Sequence, residues 1–347
     1  MELFRIFQDV LSNQAVISAV TSSIFIILLG FYLTKRGTFK PSLGKDLSTV
    51  VLTVGLPALS FNAFMSDINP ETFRQGMMIL IWGFVFQGAL IFLMKAYYFR
   101  YTKDERQALT VLTTLGSTTF FAVPIIGAIY GAKGVLFASI FNISYRIYLY
   151  SWGYISFSGL KMSKENLKTM LLNPIIIATF LGLIVWIFQG FLPQITLQDG
   201  SQVAFARIDK TAVWLYRPMT FLASICSPLA WLSIGATLAQ ISLGEAGRDR
   251  TSWVYTITKI VIVPMFGIVS LFVINLFTPI SFMTMAVSTL MMTTPPATVA
   301  VAYAIKFDRQ SLLASNASLI ATVFAVIWVP LTIFLLEVIN QMGIFVQ

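Results

Sequence analysis

Leu115-Gly116-Ser117-Thr118-Thr119-Phe120-Phe121-Ala122-Val123-Pro124 lies inside a long apolar run. A glycine, three hydroxyl residues and a proline interrupt that run at what should be membrane depth. Proline lacks an amide hydrogen and clashes with the carbonyl four residues back, so it breaks a helix in mid-run. Broken backbone is tolerated in lipid only against protein or a water-filled cavity. Pro124 is well placed as the first residue of a new half-helix. Thr293-Thr294-Pro295-Pro296 repeats the pattern later in the chain, with two prolines making continuity harder still.

The repetition has a fixed offset. Pro57, in Gly55-Leu56-Pro57-Ala58-Leu59, and Pro228, in Cys226-Ser227-Pro228-Leu229-Ala230, are 171 residues apart, and so are Pro124 and Pro295. Two prolines sharing one offset indicate a duplicated unit.

The surrounding chain reads as all-α and integral to a membrane. Of 347 residues, 57% are hydrophobic and 11% charged, against about 25% charged in an ordinary soluble domain. Mean hydropathy is +0.82. Ten apolar spans are expected, at 15–34, 46–66, 73–98, 107–130, 135–159, 171–191, 212–240, 252–277, 281–305 and 311–337, each near the ~20 residues that a bilayer requires. The proline offset divides them into a first five-helix repeat, 1–170, and a second, 171–347. Five is odd, so the second repeat must be inverted, with the broken helices 4 and 9 crossing in mid-membrane. Inverted repeats with broken helices are the plan of a secondary carrier. The run Ala15–Leu33 is too long for a signal-peptide core, and Glu2 and Asp9 precede it, so a secretory signal is not expected.

The net charge of +9 resides mainly in short loops. Alternate loops, beginning after the first span, carry Lys35, Arg36, Lys40 and Lys45; Lys95, Arg100, Lys103 and Arg106; Lys161, Lys164 and Lys168; Arg248 and Arg250; and Lys306 and Arg309. The other side holds only Arg5, Arg74, Lys133, Arg207, Lys210 and Arg217. Cytoplasmic loops are the positive ones, which puts both termini outside the inner, cytoplasmic membrane. No basic, aromatic-interleaved patch of the nucleic-acid type is present. The outer stretch from Leu192 to Thr211 reads as a solvated insertion without a site of its own.

Absences narrow the chemistry. With no histidine and one cysteine, Cys226, histidine-based catalytic triads and His- or Cys-ligated metal sites are excluded. No glycine-rich phosphate loop occurs. Neither an enzyme nor a bound cofactor or metal is expected.

Three features point to an anion instead. Half-helix N-termini at the breaks present unpaired amides and positive partial charge. Ser117, Thr118, Thr119, Thr293 and Thr294 place hydroxyls beside them. Arg146 lies in mid-span with no acid in any predicted core to neutralise it, since Asp46, Asp308 and Glu337 all fall near span ends. A substrate carboxylate, held by the guanidinium fork, is its natural counter-ion. Asn142 is one turn earlier on the same face. Lys259, eight residues from the inner end of its span, either reaches the same cavity or snorkels to the interface. No buried acid or histidine is available as a proton relay, whereas a sodium site made of backbone carbonyls would leave no mark on the sequence.

Gly55-Leu56-Pro57-Ala58-Leu59-Ser60-Phe61, Phe120-Phe121-Ala122-Val123-Pro124 followed by Tyr130-Gly131 and Gly134, and Leu232-Ser233-Ile234-Gly235-Ala236-Thr237-Leu238 together resemble the auxin efflux carrier family. The family includes bacterial malate and malonate permeases, and the resemblance spans nearly the whole chain. One position departs from it: Ser117 stands where the family often has asparagine. The resemblance implies secondary transport of a small organic anion such as malate, bound where the two broken helices cross. The expected partners are that carboxylate and the bilayer, and a homodimer is compatible. A sodium-coupled organic-anion symporter of the bile-acid type, and a channel or non-transporting sensor, remain open as alternatives.

Overall fold

A computed structural model describes residues 14–40, 42–159, 168, 171–240 and 247–346. The expectation for the stretch before Gln14, and the loop lysines Lys161 and Lys164, fall outside the described residues. The chain is built of helices α1 (Gln14–Lys35), α2 (Leu43–Ala63), α3 (Pro70–Tyr97), α4 (Lys103–Thr114), α5 (Thr118–Ser158) and α6 (Pro174–Phe188). A hairpin of β1 (Gln194–Thr196) and β2 (Gln202–Ala204) follows. Then come α7 (Ile208–Thr211), α8 (Val213–Leu238), α9 (Arg250–Asn275), α10 (Phe282–Met292), α11 (Thr298–Lys306) and α12 (Ser311–Gln341).

Six of these, α2, α3, α5, α8, α9 and α12, are long and apolar enough to cross a membrane. Their surfaces match that environment. Along α3, Ile81, Val85 and Phe92 face outward, while Trp82, Phe86 and Leu90 are buried. Large apolar side chains on the outer face are favourable only if lipid, not water, surrounds them.

Prolines shape the helices through wide turns. Val51–Gly55, Thr118–Ala122 and Thr258–Ile262 are π-turns, each ending two residues before a proline: Pro57, Pro124 and Pro264. In each, the amide of the residue preceding the proline's own turn reaches five residues back: Leu56 to Val51, Val123 to Thr118, and Val263 to Thr258. The extra residue moves the obstructing carbonyl away from the proline ring, so the helix bends without ending. Pro124 therefore does not begin a half-helix, as the sequence suggested. The helix begins six residues earlier, at Thr118.

The expected span 107–130 corresponds to α4 with the first half of α5, and the span 135–159 to the second half of α5. The turn between them is Gly131, whose φ of 59° and ψ of −154° interrupt α5. The expected span 281–305 is divided into α10 and α11. Tight packing joins α1 to α8: a Cβ on Gly235 would lie 2.0 Å from the Ile27 carbonyl oxygen, and one on Gly30 would lie 2.5 Å from that of Leu232. Only glycine lets these two backbones approach so closely.

The 192–211 stretch is tied down rather than simply solvated. Arg207 is buried, donating to Asp67 at 2.6 Å, to Asp209 at 2.8 Å and to Gln189 at 3.1 Å. Its hydrogen bond to Asp67 holds that carboxyl below the usual carboxylate range.

Candidate functional site: the crossing of two broken helices

Between α4 and α5 the chain is extended at Leu115 (φ −105°, ψ 100°). Between α10 and α11 it is open from Thr293 to Ala297. The two open segments meet in an antiparallel bridge, Gly116 opposite Pro296. The Ser117 amide donates to the Pro295 carbonyl at 2.7 Å, and the Ala297 amide to the Leu115 carbonyl at 2.9 Å. Each break thus supplies hydrogen bonds that the other lost. Pro295 and Pro296 have no amide to satisfy, which suits them to a buried open segment. Gly116 is required sterically, because a Cβ there would lie 2.1 Å from Thr294 Oγ1.

Beside the crossing is a cavity of about 290 Å³. Ser117, Thr119 and Phe120 line it from one break, and Ala297, Thr298 and Val299 from the other. These are the starts of α5 and α11, where the first amides have no partner within the helix. Ser48, Leu52 and Thr53 of α2 and Asn173, Pro174 and Ile175 at the start of α6 form the facing wall. Tyr145, Arg146 and Tyr150 of α5 complete it.

Arg146 is buried, and no carboxylate pairs with it among the described residues. Its single hydrogen bond among the described residues runs from Nη1 to Thr179 Oγ1 at 3.4 Å. Five N–H donors with one weak partner leave most of the fork free for a ligand in the cavity.

The residues expected at the site divide into two groups. Ser117, Thr119 and Arg146 line the cavity. Thr118 and Asn142 lie behind it, where Thr118 Oγ1 donates to Asn142 Oδ1 at 2.7 Å and ties the start of α5 to its second half. Thr293 and Thr294 are buried and turn back on their own helix, donating to the carbonyls of Thr289 at 2.8 Å and Met291 at 3.3 Å. Pro295 and Pro296 form the crossing, whereas Pro124 lies beyond it. Reading the sequence did not find Ser48, Thr53, Asn173, Tyr145, Tyr150 or Thr298. Ser48, Thr53 and Asn173 carry no local signal, because chain folding alone brings α2 and α6 to this wall, whereas Tyr145, Tyr150 and Thr298 adjoin Arg146 and the second break in sequence.

A second cavity, of about 670 Å³, lies at the opposite ends of α2 and of the first half of α5. Its lining includes Leu59, Asn62, Gly127, Gly131, Thr220, Ser227 and Trp231. Residues 121–126 of α5 and 54–58 of α2 lie between the stretches that line the two cavities.

Residues 15–166 and 158–333 match the membrane transport protein family. The chain belongs to this family. The match extends over nearly all the described helices, and it bears out the resemblance to auxin efflux carriers read from the motifs. A second comparison places the chain near an uncharacterized transporter of Methanocaldococcus jannaschii. The two are 21% identical over 226 residues, covering 63% of this chain and 68% of the other. Membership makes this a multi-pass membrane protein of a transport family.

Proposed function

We infer that the chain is a secondary carrier for a small organic anion, malate or a related carboxylate, working by alternating access in the cytoplasmic membrane. The observation that carries this reading is Arg146, a buried cation without an acidic partner, in a cavity that also receives two helix starts at a crossing of broken helices. Guanidinium, unpaired amides and the hydroxyls of Ser117 and Thr119 all donate, and none carries negative charge. Such a set recognises a carboxylate. In this reading α1, α2, α3, α4 with the first half of α5, the second half of α5, α6, α8, α9, α10 with α11, and α12 are the ten spans, forming two inverted repeats, 1–170 and 171–347, with both termini outside. Cavities at opposite ends of α2 suit a site opened to each side in turn.

Counterflow in liposomes tests this. Purified protein should exchange labelled for unlabelled substrate across a panel of malate, malonate, succinate and lactate, and the preferred anion should raise thermal stability. A protein that exchanges none of them and is stabilised by none refutes the reading. Uptake that requires sodium would favour the symporter alternative.

A further inference from the structure

Lys259 has no part in the anion site just described. It lies on α9 within the π-turn Thr258–Ile262, and its side chain is fully buried. Its Nζ has no hydrogen-bond partner, and no carboxylate lies within ion-pair distance among the described residues. Snorkelling is excluded, because that requires the ammonium to reach water.

The place where the amine ends is informative. A Cβ on Gly116 would be 3.0 Å from Nζ and 2.1 Å from Thr294 Oγ1. The amine therefore abuts both broken segments, behind the backbone whose next residue, Ser117, lines the anion cavity. Charge arriving in that cavity acts on Lys259 through a dry interior, where charges interact strongly.

Few titratable groups surround it. On its own helix, the Tyr255 hydroxyl is used in donating to the Leu112 carbonyl at 3.1 Å. From α3, Tyr97 accepts from neighbouring Thr258, and Tyr98 pairs with Thr113. On α4, Lys103, Asp104, Glu105 and Arg106 are all in the first turn, at the helix end remote from Gly116. On α12 the one charged residue, Glu337, is near the C-terminal end and bonded to Asn340. α10 and α11 contribute Tyr303 and Lys306, both in the last turns of α11.

Resting on the anion-carrier reading, we propose that Lys259 is a proton-binding site coupled to the anion, so that a proton and a carboxylate cross the membrane together. When the carrier opens the crossing to one side, hydronium delivers a proton to the Nζ lone pair, forming an N–H bond and leaving water. It returns that proton to water on the other side when the anion leaves, and nothing is oxidised or reduced. An ammonium and a carboxylate on either side of the crossing stabilise each other, and by linkage each raises the affinity for the other equally. Arg146 stays charged throughout and fixes the anion. Lys259 supplies the charge that can come and go.

Proton uptake on binding tests the proposal directly. The carboxylate that stabilises the protein most in the panel above is titrated calorimetrically in two buffers of different ionisation enthalpy. The range, about pH 7 to 9, lies well above the anion's own titration. The wild type should take up a fraction of a proton per anion bound, and its affinity should weaken as pH rises, by up to tenfold per unit. Lys259→Met and Lys259→Arg should both show no uptake and a flat affinity profile, the first because no proton can bind and the second because none can leave. If either variant fails to fold, the other still decides. Absence of uptake in the wild type, or equal uptake in a folded variant, overturns the proton site while leaving the anion site standing. Failure of every carboxylate to bind overturns the anion reading, and this proposal with it.

Discussion

Replacing Gly116 by alanine probes the crossing without altering charge. The new methyl would stand 2.1 Å from Thr294 Oγ1, and 3.0 and 3.2 Å from Nζ and Cε of Lys259. Ordinary contact begins near 3.4 Å, so one segment must retreat by more than an ångström. Rotating Thr294 brings its own methyl toward the gap and sacrifices its 3.3 Å bond to the Met291 carbonyl, a loss of about 1 kcal/mol. Overpacking a tight interior adds roughly 1–3 kcal/mol. Moving the backbone instead strains the two bonds of the bridge. The expected destabilisation is about 2–4 kcal/mol, together with a large loss of anion exchange. Gly267→Ala is the matched control. It likewise adds a methyl to a buried glycine, this one within α9, but its nearest neighbours are 3.6 Å away. There the methyl fits, and the gain in helix propensity makes the change neutral or stabilising by up to ~1 kcal/mol. Thermal unfolding in detergent, scanned at one fixed rate, ranks the three proteins, and liposome exchange reads function. A Gly116→Ala protein as stable and active as wild type would falsify the close crossing.

Further outcomes follow from other contacts. Arg146→Ala should keep expression and thermal stability without ligand, because it removes an unpaired intramembrane charge, while losing carboxylate stabilisation. Arg146→Lys should bind at least tenfold more weakly, because the planar fork is gone, and wild-type affinity in either variant counts against the site. Asp67 has its carboxyl held low by Arg207, so its contribution to stability is present above the usual carboxylate range and disappears as pH falls through its depressed value. Asp67→Asn should flatten that acid-side loss in a thermal scan, and an identical acid limb would show the Arg207 clamp to be idle. A reporter fused after Gln347 should be active outside the cytoplasm, and strong cytoplasmic activity there would overturn both the orientation and the inverted repeat.

The sequence alone determined the solvent and the secondary structure. A chain so apolar, in runs near the ~20 residues of a helical span, reads as helical and embedded in lipid, because a helix satisfies the backbone within each run. It also located both open segments, since proline and hydroxyl clusters act locally and leave a local mark. The position of the first break was misread at Pro124, because a π-turn lets a helix pass through a proline, and whether it does depends on what packs around that turn. Arg146 was legible as a charge without a partner, because counting acids requires no coordinates.

Tertiary structure alone decided the rest. The antiparallel bridge pairs Gly116 with Pro296, 180 residues later, and no local pattern encodes so distant a pairing. Orientation separated Ser117 and Thr119, which line the cavity, from Thr118, Thr293 and Thr294, whose hydroxyls bond to the protein. All five are hydroxyl residues beside a break, and they differ only in the direction each helix presents them. Lys259 was ambiguous on the same ground. A lysine's stem is long enough to reach either water or the interior, and the packing of α9 against the crossing directs this one inward.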